Sequence, residues 1–373
     1  KTTGTPLCIL IKNQDQRSRD YIDLRHIFRP GHAGFAFLKK YGVFDFRGGG
    51  RASGRETATR VAAGSVAKQF LKSRGLEIIG YTRQIGDITA KNVDPSQIEK
   101  NAVRAPDAGA AAEMSDAIQK ARKEGDSLGG LVEVMVKNCP AGLGEPVFNK
   151  LEADLASALM SIGAVKAFEM GDGFNAVTMQ GSEFNDLFYY DTKTNTFHTR
   201  TNHAGGVLGG ISNGEDLVMR IAVKPPSSIG KIQKTVDDKG STVKLNIGGR
   251  HDPCICPRVV PVAEAMVALV LIDHLLMQEQ IEEKENLAIL RSHVDTIDTQ
   301  LLLLLAQRRE VIRKIGALKK HENRGILDKE REASKRKRID KFSMMLNLPP
   351  QTMQKIFEII IADSHELQKE TLP

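Results

Sequence analysis

Tryptophan is absent from these 373 residues, and aromatic residues altogether reach only 5%. Proteins that stack sugars or cage quaternary ammonium groups need more aromatic surface than that. The four cysteines, Cys8, Cys139, Cys254 and Cys256, are too few and too scattered for a disulfide framework. A reducing, cytoplasmic setting is therefore the expectation. Cys254-Ile-Cys256 has no second Cys or His pair at zinc-site spacing, so no metal is expected. Long hydrophobic runs are also missing: Ala265–Ile272 and Leu301–Ala306 are the longest uncharged apolar stretches. Each falls well short of the ~20 residues that span a bilayer, so no membrane partner is expected. Neither a Gly-x-Ser-x-Gly elbow, a P-loop nor a dinucleotide-type Gly-x-Gly-x-x-Gly occurs.

What is present begins with charge. The formal net charge is +7, spread thinly on both sides of Met277, whereas a nucleic-acid footprint concentrates its charge. One dense cluster exists, Arg331, Lys335, Arg336, Lys337, Arg338 and Lys341, with Glu332 and Asp340 inside it. It reads as a solvated helix face or an inward-facing anion site. A basic nucleic-acid-binding or regulatory module is the rival from another class, and no nucleic-acid partner is expected.

Two composition regimes follow one another. Residues 1–277 are rich in glycine and alternate β-like runs (Pro6–Lys12, Leu76–Tyr81, Leu131–Val136, Val165–Met170, Leu217–Val223) with helical ones (Arg55–Ser73, Ala110–Lys123, Phe148–Ser161, Val262–Met277). This interleaving predicts an α/β or α+β domain. Residues 278–285 read as a linker. Residues 286–373 form a second domain with three helices, about 286–321, 327–345 and 350–370, broken at His321–Gly325 and Asn347–Pro350.

On the first of these helices Leu287, Leu290, Val294, Ile297, Leu301, Leu304, Val311, Ile315 and Leu318 recur at alternating steps of three and four, the spacing of a coiled-coil seam. Position 308 in that stripe is Arg. A guanidinium on an apolar seam is costly unless an anion meets it, either a structural carboxylate or a ligand. Lys319 lies three turns further on the same face, about 16 Å away. Asp328, Arg331 and Glu332 share a face of the second helix, and Ser364 and Gln368 share one on the third. Together they would make a pocket for a small dianion bearing a hydroxyl. Arg291 is about 25 Å from Arg308 along a straight helix. It could join the pocket only of a partner whose long helix runs antiparallel, which predicts an intertwined dimer.

At these residues the second domain resembles the all-helical class of chorismate mutase, through LAILRSHVDTIDTQLLLLLAQRREVIRKIGALKK, ILDKEREASKRKRID and IFEIIIADSHELQKE. The resemblance implies rearrangement of chorismate to prephenate without a cofactor. It places substrate binding on Arg291, Arg308, Lys319, Asp328, Glu332, Ser364 and Gln368. Catalysis would rest on Arg308, Lys319, Glu332 and Gln368, with Lys319 and Gln368 donating to the ether oxygen of the breaking C–O bond and Glu332 holding the ring hydroxyl.

In the first domain, Arg47-Gly-Gly-Gly-Arg-Ala-Ser-Gly-Arg-Glu-Thr puts Ser53 three residues before Glu56, a capping-box spacing at a helix start. A glycine turn entering a helix N-terminus between Arg51 and Arg55 suits an anion, although glycines in loops also serve turn geometry alone. The loop Asn202-His-Ala-Gly-Gly-Val-Leu-Gly-Gly-Ile-Ser-Asn-Gly214 is bare enough for close approach to a flat ligand. In order along the chain, FRPGHAGF, GGGRASGRETATRVAAG, NHAGGVLGGISNG, VKPPSSI and GRHDPCICPRVVPVAEAM resemble chorismate synthase.

That resemblance implies an α+β fold of β-α-β sandwich type and elimination of phosphate from 5-enolpyruvylshikimate 3-phosphate with reduced FMN. The flavin would be held by Arg51, Ala52, Ser53, Gly163, Ala164, Gly209, Lys224, Pro225, Pro226, Ser227, Ser228 and Arg250. His32 and Asp252 would be the catalytic residues. The expected partners are these small molecules, further copies of the chain (a mutase dimer, a synthase tetramer) and a flavin reductase using NAD(P)H. The family also opens with a Gly-Glu-Ser-His-Gly segment, whereas this sequence starts at Lys1-Thr-Thr-Gly, inside the family pattern. The expectation is therefore a synthase lacking its N-terminal segment, impaired in turnover and fused to a working mutase; the alternative is a mutase carried on a non-catalytic synthase scaffold.

Overall fold

A computed structural model describes residues 5–12, 22, 24–46, 53–247, 252–282, 287–322, 325 and 327–371. The chain divides into two compact units, Lys1–Glu282 and Glu283–Pro373.

The first unit is α+β. Its helices are α1 (Gly34–Tyr41), α2 (Thr57–Ser73), α3 (Ala108–Lys123), α4 (Leu151–Met160), the single turn α5 (Gly181–Phe184) and α6 (Cys256–Glu282). Five strands, β1 (Glu77–Ile85), β2 (Ile88–Thr89), β3 (Gly130–Lys137), β4 (Val165–Met170) and β9 (Leu217–Val223), form an antiparallel sheet in the order β2-β1-β3-β9-β4. Three hairpins stand outside it: β5–β6 (Phe188–Asp191, Thr196–Thr199), β7–β8 (Val207–Leu208, Ile211–Ser212) and β10–β11 (Gln233–Val236, Thr242–Leu245).

Alternation decides which face of the sheet is the core. Along β9, Leu217, Met219, Ile221 and Val223 are buried, while Val218, Arg220 and Ala222 face the other way half-buried. Helix α6 covers the buried face with Cys256, Val260, Ala263, Val267 and Leu271, all essentially inaccessible and spaced by three and four. Two glycines let it come close. A Cβ on Gly64 of α2 would meet the Cβ of Ala265 at 2.3 Å, and one on Gly80 of β1 would meet Glu264 Cγ at 2.7 Å. Glu264 then bridges both neighbours, accepting from Lys68 Nζ and from the Gly80 N–H, each at 2.7 Å.

On the opposite face a polar row crosses four strands. The register pairs Tyr81 with Glu133, Glu133 with Arg220, and Arg220 with Glu169. The Tyr81 hydroxyl donates to Glu133, whose second oxygen accepts from Arg220 Nε at 2.5 Å. Arg220 Nη1 donates to Glu169 at 3.0 Å and to the Gly171 carbonyl at 2.8 Å. Burial and the neighbouring Glu133 carboxylate push the Tyr81 phenol up. Burial pulls the Arg220 guanidinium down, but the two carboxylates outweigh it and the net shift is upward.

The structure departs from the sequence reading in three places. Residues 6–12 form no strand: they lie exposed, with no ladder partner among the described residues. The linker expected at 278–285 begins as helix, because α6 continues through its Gln and Glu residues to Glu282; 283–285 lie outside the described residues. Third, α6 is long and apolar enough by composition to cross a membrane. Its packing against β1, β3, α2 and α4 accounts for that composition as the core of the sheet unit.

The second unit consists of α7 (Leu287–His321), α8 (Lys329–Met345) and α9 (Pro350–Thr371), with α9 packed on both of the others. Asp328 caps α8, its carboxylate accepting from the Arg331 N–H at 2.9 Å. The seam residues Leu290, Val294, Ile297, Leu301, Leu304, Val311, Ile315 and Leu318 are all exposed. Among the described residues of this unit Leu367 is the sole buried apolar side chain; the other buried side chains are Ser343, Ser364 and Gln368.

Candidate active sites

In the sheet unit, His32 follows the Pro30-Gly31 turn that leads into α1. Arg29 Nη2 lies 2.6 Å from its Nε2, and the Gly34 N–H donates to its Nδ1 at 3.1 Å. Both groups are donors, so neither ring nitrogen has an acceptor for the extra proton of an imidazolium. Burial, reinforced by the positive charges of Arg29 and Lys224, lowers the His32 pKa to about 4. The imidazole is thus neutral near pH 7. It lines a small cavity of about 110 Å³ together with Arg25, Phe28, Phe44 and Asp238.

Two of the expected cofactor segments, Gly163–Ala164 and Lys224–Ser228, meet the His32 turn here. Lys224 Nζ donates to the Gly31 carbonyl at 3.3 Å, and the Lys224 N–H donates to the Ala164 carbonyl at 2.9 Å. Ala164 holds φ at +74°, so the Gly163–Ala164 turn directs its carbonyl at the segment after β9. Ser227 approaches Gly31, with 3.1 Å between its Cβ and a Cβ built there. Pro226 accepts from Ser127 Oγ at 2.7 Å, which fixes the rest of the Lys224–Ser228 loop. Burial, then the charge of Lys166, lowers the Lys224 pKa. A half-buried ammonium beside a neutral imidazole fits a bound anion.

Other expected residues sit apart from this group. Ser53 caps the short 3-10 turn Gly54–Glu56 ahead of α2, accepting from the Arg55 N–H at 3.3 Å. Gly209 turns the β7–β8 hairpin at φ +63° with open space at its Cβ position. Asp252 precedes α6, and its carboxylate pairs with Arg258 at 2.9 Å. Arg51, Ala52 and Arg250 lie outside the described residues.

In the helical unit a larger cavity, about 720 Å³, opens between the three helices. Arg308, Ile312, Ile315 and Lys319 line it from α7, Asp328 and Glu332 from the start of α8, and Ser364 and Gln368 from α9. The structure thus brings together six of the seven residues expected in the mutase pocket. The seventh, Arg291, is exposed near the other end of α7 and lies outside the cavity lining.

Arg308 Nη1 donates to Ser364 Oγ at 2.6 Å and to the Ile360 carbonyl at 3.1 Å. Neither partner is an anion. Burial lowers the Arg308 pKa, against a weaker upward pull from Asp363, whose carboxylate instead pairs with Arg309. The Ser364 hydroxyl in turn donates to the Ile360 carbonyl at 2.7 Å, and Gln368 Nε2 donates to the Ser364 carbonyl at 3.1 Å. Glu332 Oε1 lies 2.9 Å from His365 Nε2.

The lining also holds Arg331, which the sequence reading put on the pocket face without giving it a role, and Lys335, Arg338 and His365, which it did not assign to the pocket. The signal for the first three was their 331/335/338 spacing, one helix face within the dense basic cluster. His365 carried no signal, since its neighbour comes from another helix.

The architecture is that of a two-unit α+β chain: an antiparallel sheet unit with a cationic loop cluster, then three helices around a cationic cavity. Residues 1–276 match the family model of chorismate synthase, and residues 290–369 match that of chorismate mutase type II. The chorismate synthase of Chloroflexus aurantiacus is 51% identical over 278 residues, covering 74% of this chain and 76% of its own length. That of Rippkaea orientalis is 52% identical over 285 residues, covering 75% and 78%. A solved structure titled as the crystal structure of chorismate synthase superposes with a TM-score of 0.57 at 29% identity, covering 72% of this chain and 76% of that one. The chain belongs to the chorismate synthase family and carries a chorismate-mutase-type domain at residues 290–369.

Proposed function

We propose that the helical unit converts chorismate to prephenate and that the sheet unit eliminates phosphate from 5-enolpyruvylshikimate 3-phosphate to give chorismate. The observation that carries the first half is Arg308, half-buried in a 720 Å³ cavity and held, among the described residues, by the neutral Ser364 hydroxyl and Ile360 carbonyl. A dicarboxylate supplies the missing counter-charge. The rearrangement needs no nucleophile, so the protein's part is positional and electrostatic. Arg308 grips a carboxylate; Lys319 and Gln368 donate to the ether oxygen as it gains charge; Glu332 accepts from the ring hydroxyl. Asp328, committed to capping α8, orients this end of the helix more than it touches substrate.

The second carboxylate is assigned to Arg291 of a second chain in an intertwined dimer. Two observations support this: Arg291 lies 17 residues from Arg308 on one continuous helix, about 25 Å at helical rise, and the apolar seam of α7 is exposed in the single chain. A three-helix unit with one buried apolar side chain among its described residues needs such a cover.

For the sheet unit, a β-α-β sandwich holding reduced FMN is the proposal. The fit rests on the half-buried Lys224 beside neutral His32 and on the Ala164 and Ser227 backbone gathered round them. The remaining positions of the Lys224–Ser228 loop, Ser53, Gly163, Gly209, Arg51, Ala52 and Arg250 would complete the cofactor contacts. When bound, the reduced flavin supplies transient electron density that helps phosphate depart, without net redox change. His32 offers the flavin edge a neutral imidazole, and Asp252, once released from Arg258, accepts a proton. Synthase tetramers, a cytoplasmic location and a reductase that supplies the reduced flavin belong to the same reading.

The test uses the purified full chain. Chorismate should disappear with formation of prephenate, and phosphate release from 5-enolpyruvylshikimate 3-phosphate, expected from the sequence to be slow in this chain, should require reduced FMN. A folded chain that leaves chorismate untouched would overturn the mutase reading; phosphate release indifferent to flavin would overturn the cofactor assignment.

A further inference from the structure

Of the lining cations that the mutase reading above does not employ, Arg331, Lys335 and Arg338, Lys335 alone is half-buried, the other two being exposed. Lys335 lies one turn beyond Arg331 on α8, half-buried, and lines the cavity together with Arg308 of α7. Burial, followed by the positive charges of Arg308 and Arg331, lowers its pKa, and Glu332 opposes them. No carboxylate pairs with it among the described residues.

Of the nearby carboxylates, Asp328 and Asp363 are engaged elsewhere, and Glu332 acts on Lys335 as a nearby charge without pairing with it. Asp328 caps the Arg331 N–H at 2.9 Å, Glu332 lies 2.9 Å from His365, and Asp363 pairs with Arg309. A lysine that only decorated a solvated helix face would have turned its ammonium into water, as the exposed Arg336 and Lys337 do. Glu332 and Asp328 line the same cavity and offset part of its charge, but Arg308, Lys319, Arg331, Lys335 and Arg338 outnumber them, so a bound anion stabilises the cluster.

We propose that Lys335 and Arg308 bind the same ligand carboxylate, which makes Lys335 a specificity-determining residue that favours ligands carrying that carboxylate over those in which it is masked. The proposal rests on the reading of this cavity as the mutase site. A point-charge ammonium adds attraction and tolerates small shifts of the ligand, whereas the Arg308 fork fixes its plane.

The test compares the full wild-type chain with Lys335→Met, Lys335→Arg and the exposed control Lys337→Met. The probes are chorismate turnover and the binding of a bicyclic ether dicarboxylate shaped like the rearranging substrate, alongside its two monomethyl esters. Loss of one charge-assisted contact predicts binding of the dicarboxylate about 10- to 100-fold weaker in Lys335→Met. KM should rise by a similar factor, with kcat changed less. One monoester should lose affinity in step, while the ester masking the carboxylate that Lys335 holds should bind both proteins alike. Lys335→Arg should recover most of the loss, and Lys337→Met should match wild type. Equal weakening of both monoesters, or none, in a folded Lys335→Met chain whose wild type turns over chorismate would overturn this proposal and leave the mutase reading standing. A folded wild-type chain that neither binds the dicarboxylate nor consumes chorismate would overturn that reading, and this proposal with it.

Discussion

Arg220 in the sheet unit and Arg308 in the helical unit are both partly buried guanidiniums, yet their surroundings shift them in opposite directions. Arg220 sits in a closed row in which two carboxylates and a carbonyl take its donors, and its charge is stabilised in place. Arg308 has a hydroxyl and a carbonyl, and its charge is destabilised. Both units bury a cation at a cost in desolvation, but only one supplies the counter-ion from its own chain. An arginine that the fold neutralises is architecture; an arginine left for an outside anion marks a site.

The most severe way to probe this contrast is Arg220→Met. It leaves Glu133, only 5% exposed, without its cationic partner, and a broken buried pair costs about 3–5 kcal/mol. Urea unfolding of the chain should show that loss in the transition of the sheet unit; a change below about 1 kcal/mol would mean the row is ornamental. Next comes Arg308→Met, which removes a charge with no ionic partner to strand. Chorismate turnover should fall about 100- to 1,000-fold, while the unfolding midpoint of the helical unit holds or rises. A variant as active as wild type sinks the contrast.

Arg291→Ala and Lys319→Ala sharpen it through assembly. Each alone should be nearly inactive, but equal mixing and reassembly should restore about a quarter of wild-type activity, because half the dimers are mixed and each has one intact site. No recovery would argue against sites shared between chains.

A smaller effect concerns His32. Its folded pKa, about 4, lies below the ordinary 6.5, so between those values the unfolded chain binds more protons. The stability of the sheet unit should therefore decline as pH falls from about 6.5 towards about 4. Thermal unfolding across that window should flatten in His32→Gln; an unchanged slope would assign the decline to other groups. Smallest is Arg309→Ala, which breaks the exposed pair with Asp363. Less than about 1 kcal/mol should be lost in denaturant titration.

These cases also show how much could be read in advance. Strands β4 and β9 follow from their short, mostly apolar runs, and the three helices of the second unit from helical spacing between turn residues, even though the α7 seam is exposed. Six of the pocket residues were equally legible, since helical spacing alone sets which side chains share a stripe. The Tyr81–Glu133–Arg220–Glu169 row was not, because strand order and register decide cross-strand neighbours and neither is written locally. The hairpins β5–β6 and β10–β11 escaped because their residues are mostly exposed and show no clean alternation. Pro6–Lys12 misled for the converse reason: its apolar run has strand composition but pairs with no strand among the described residues. The inward turn of Lys335 was legible only as an alternative, since a basic cluster looks alike on a wet face and in a pocket.

Helix α6 carries a consequence for how the chain matures. It is the last element of the sheet unit, yet it covers β1 and β3, made far earlier. Until the ribosome has released Cys256–Glu282, the apolar side of the sheet has no lid, so a nascent chain stalled before that point must be shielded by chaperones or clump with its neighbours. Translation of the helical unit then provides the interval in which the sheet unit can close.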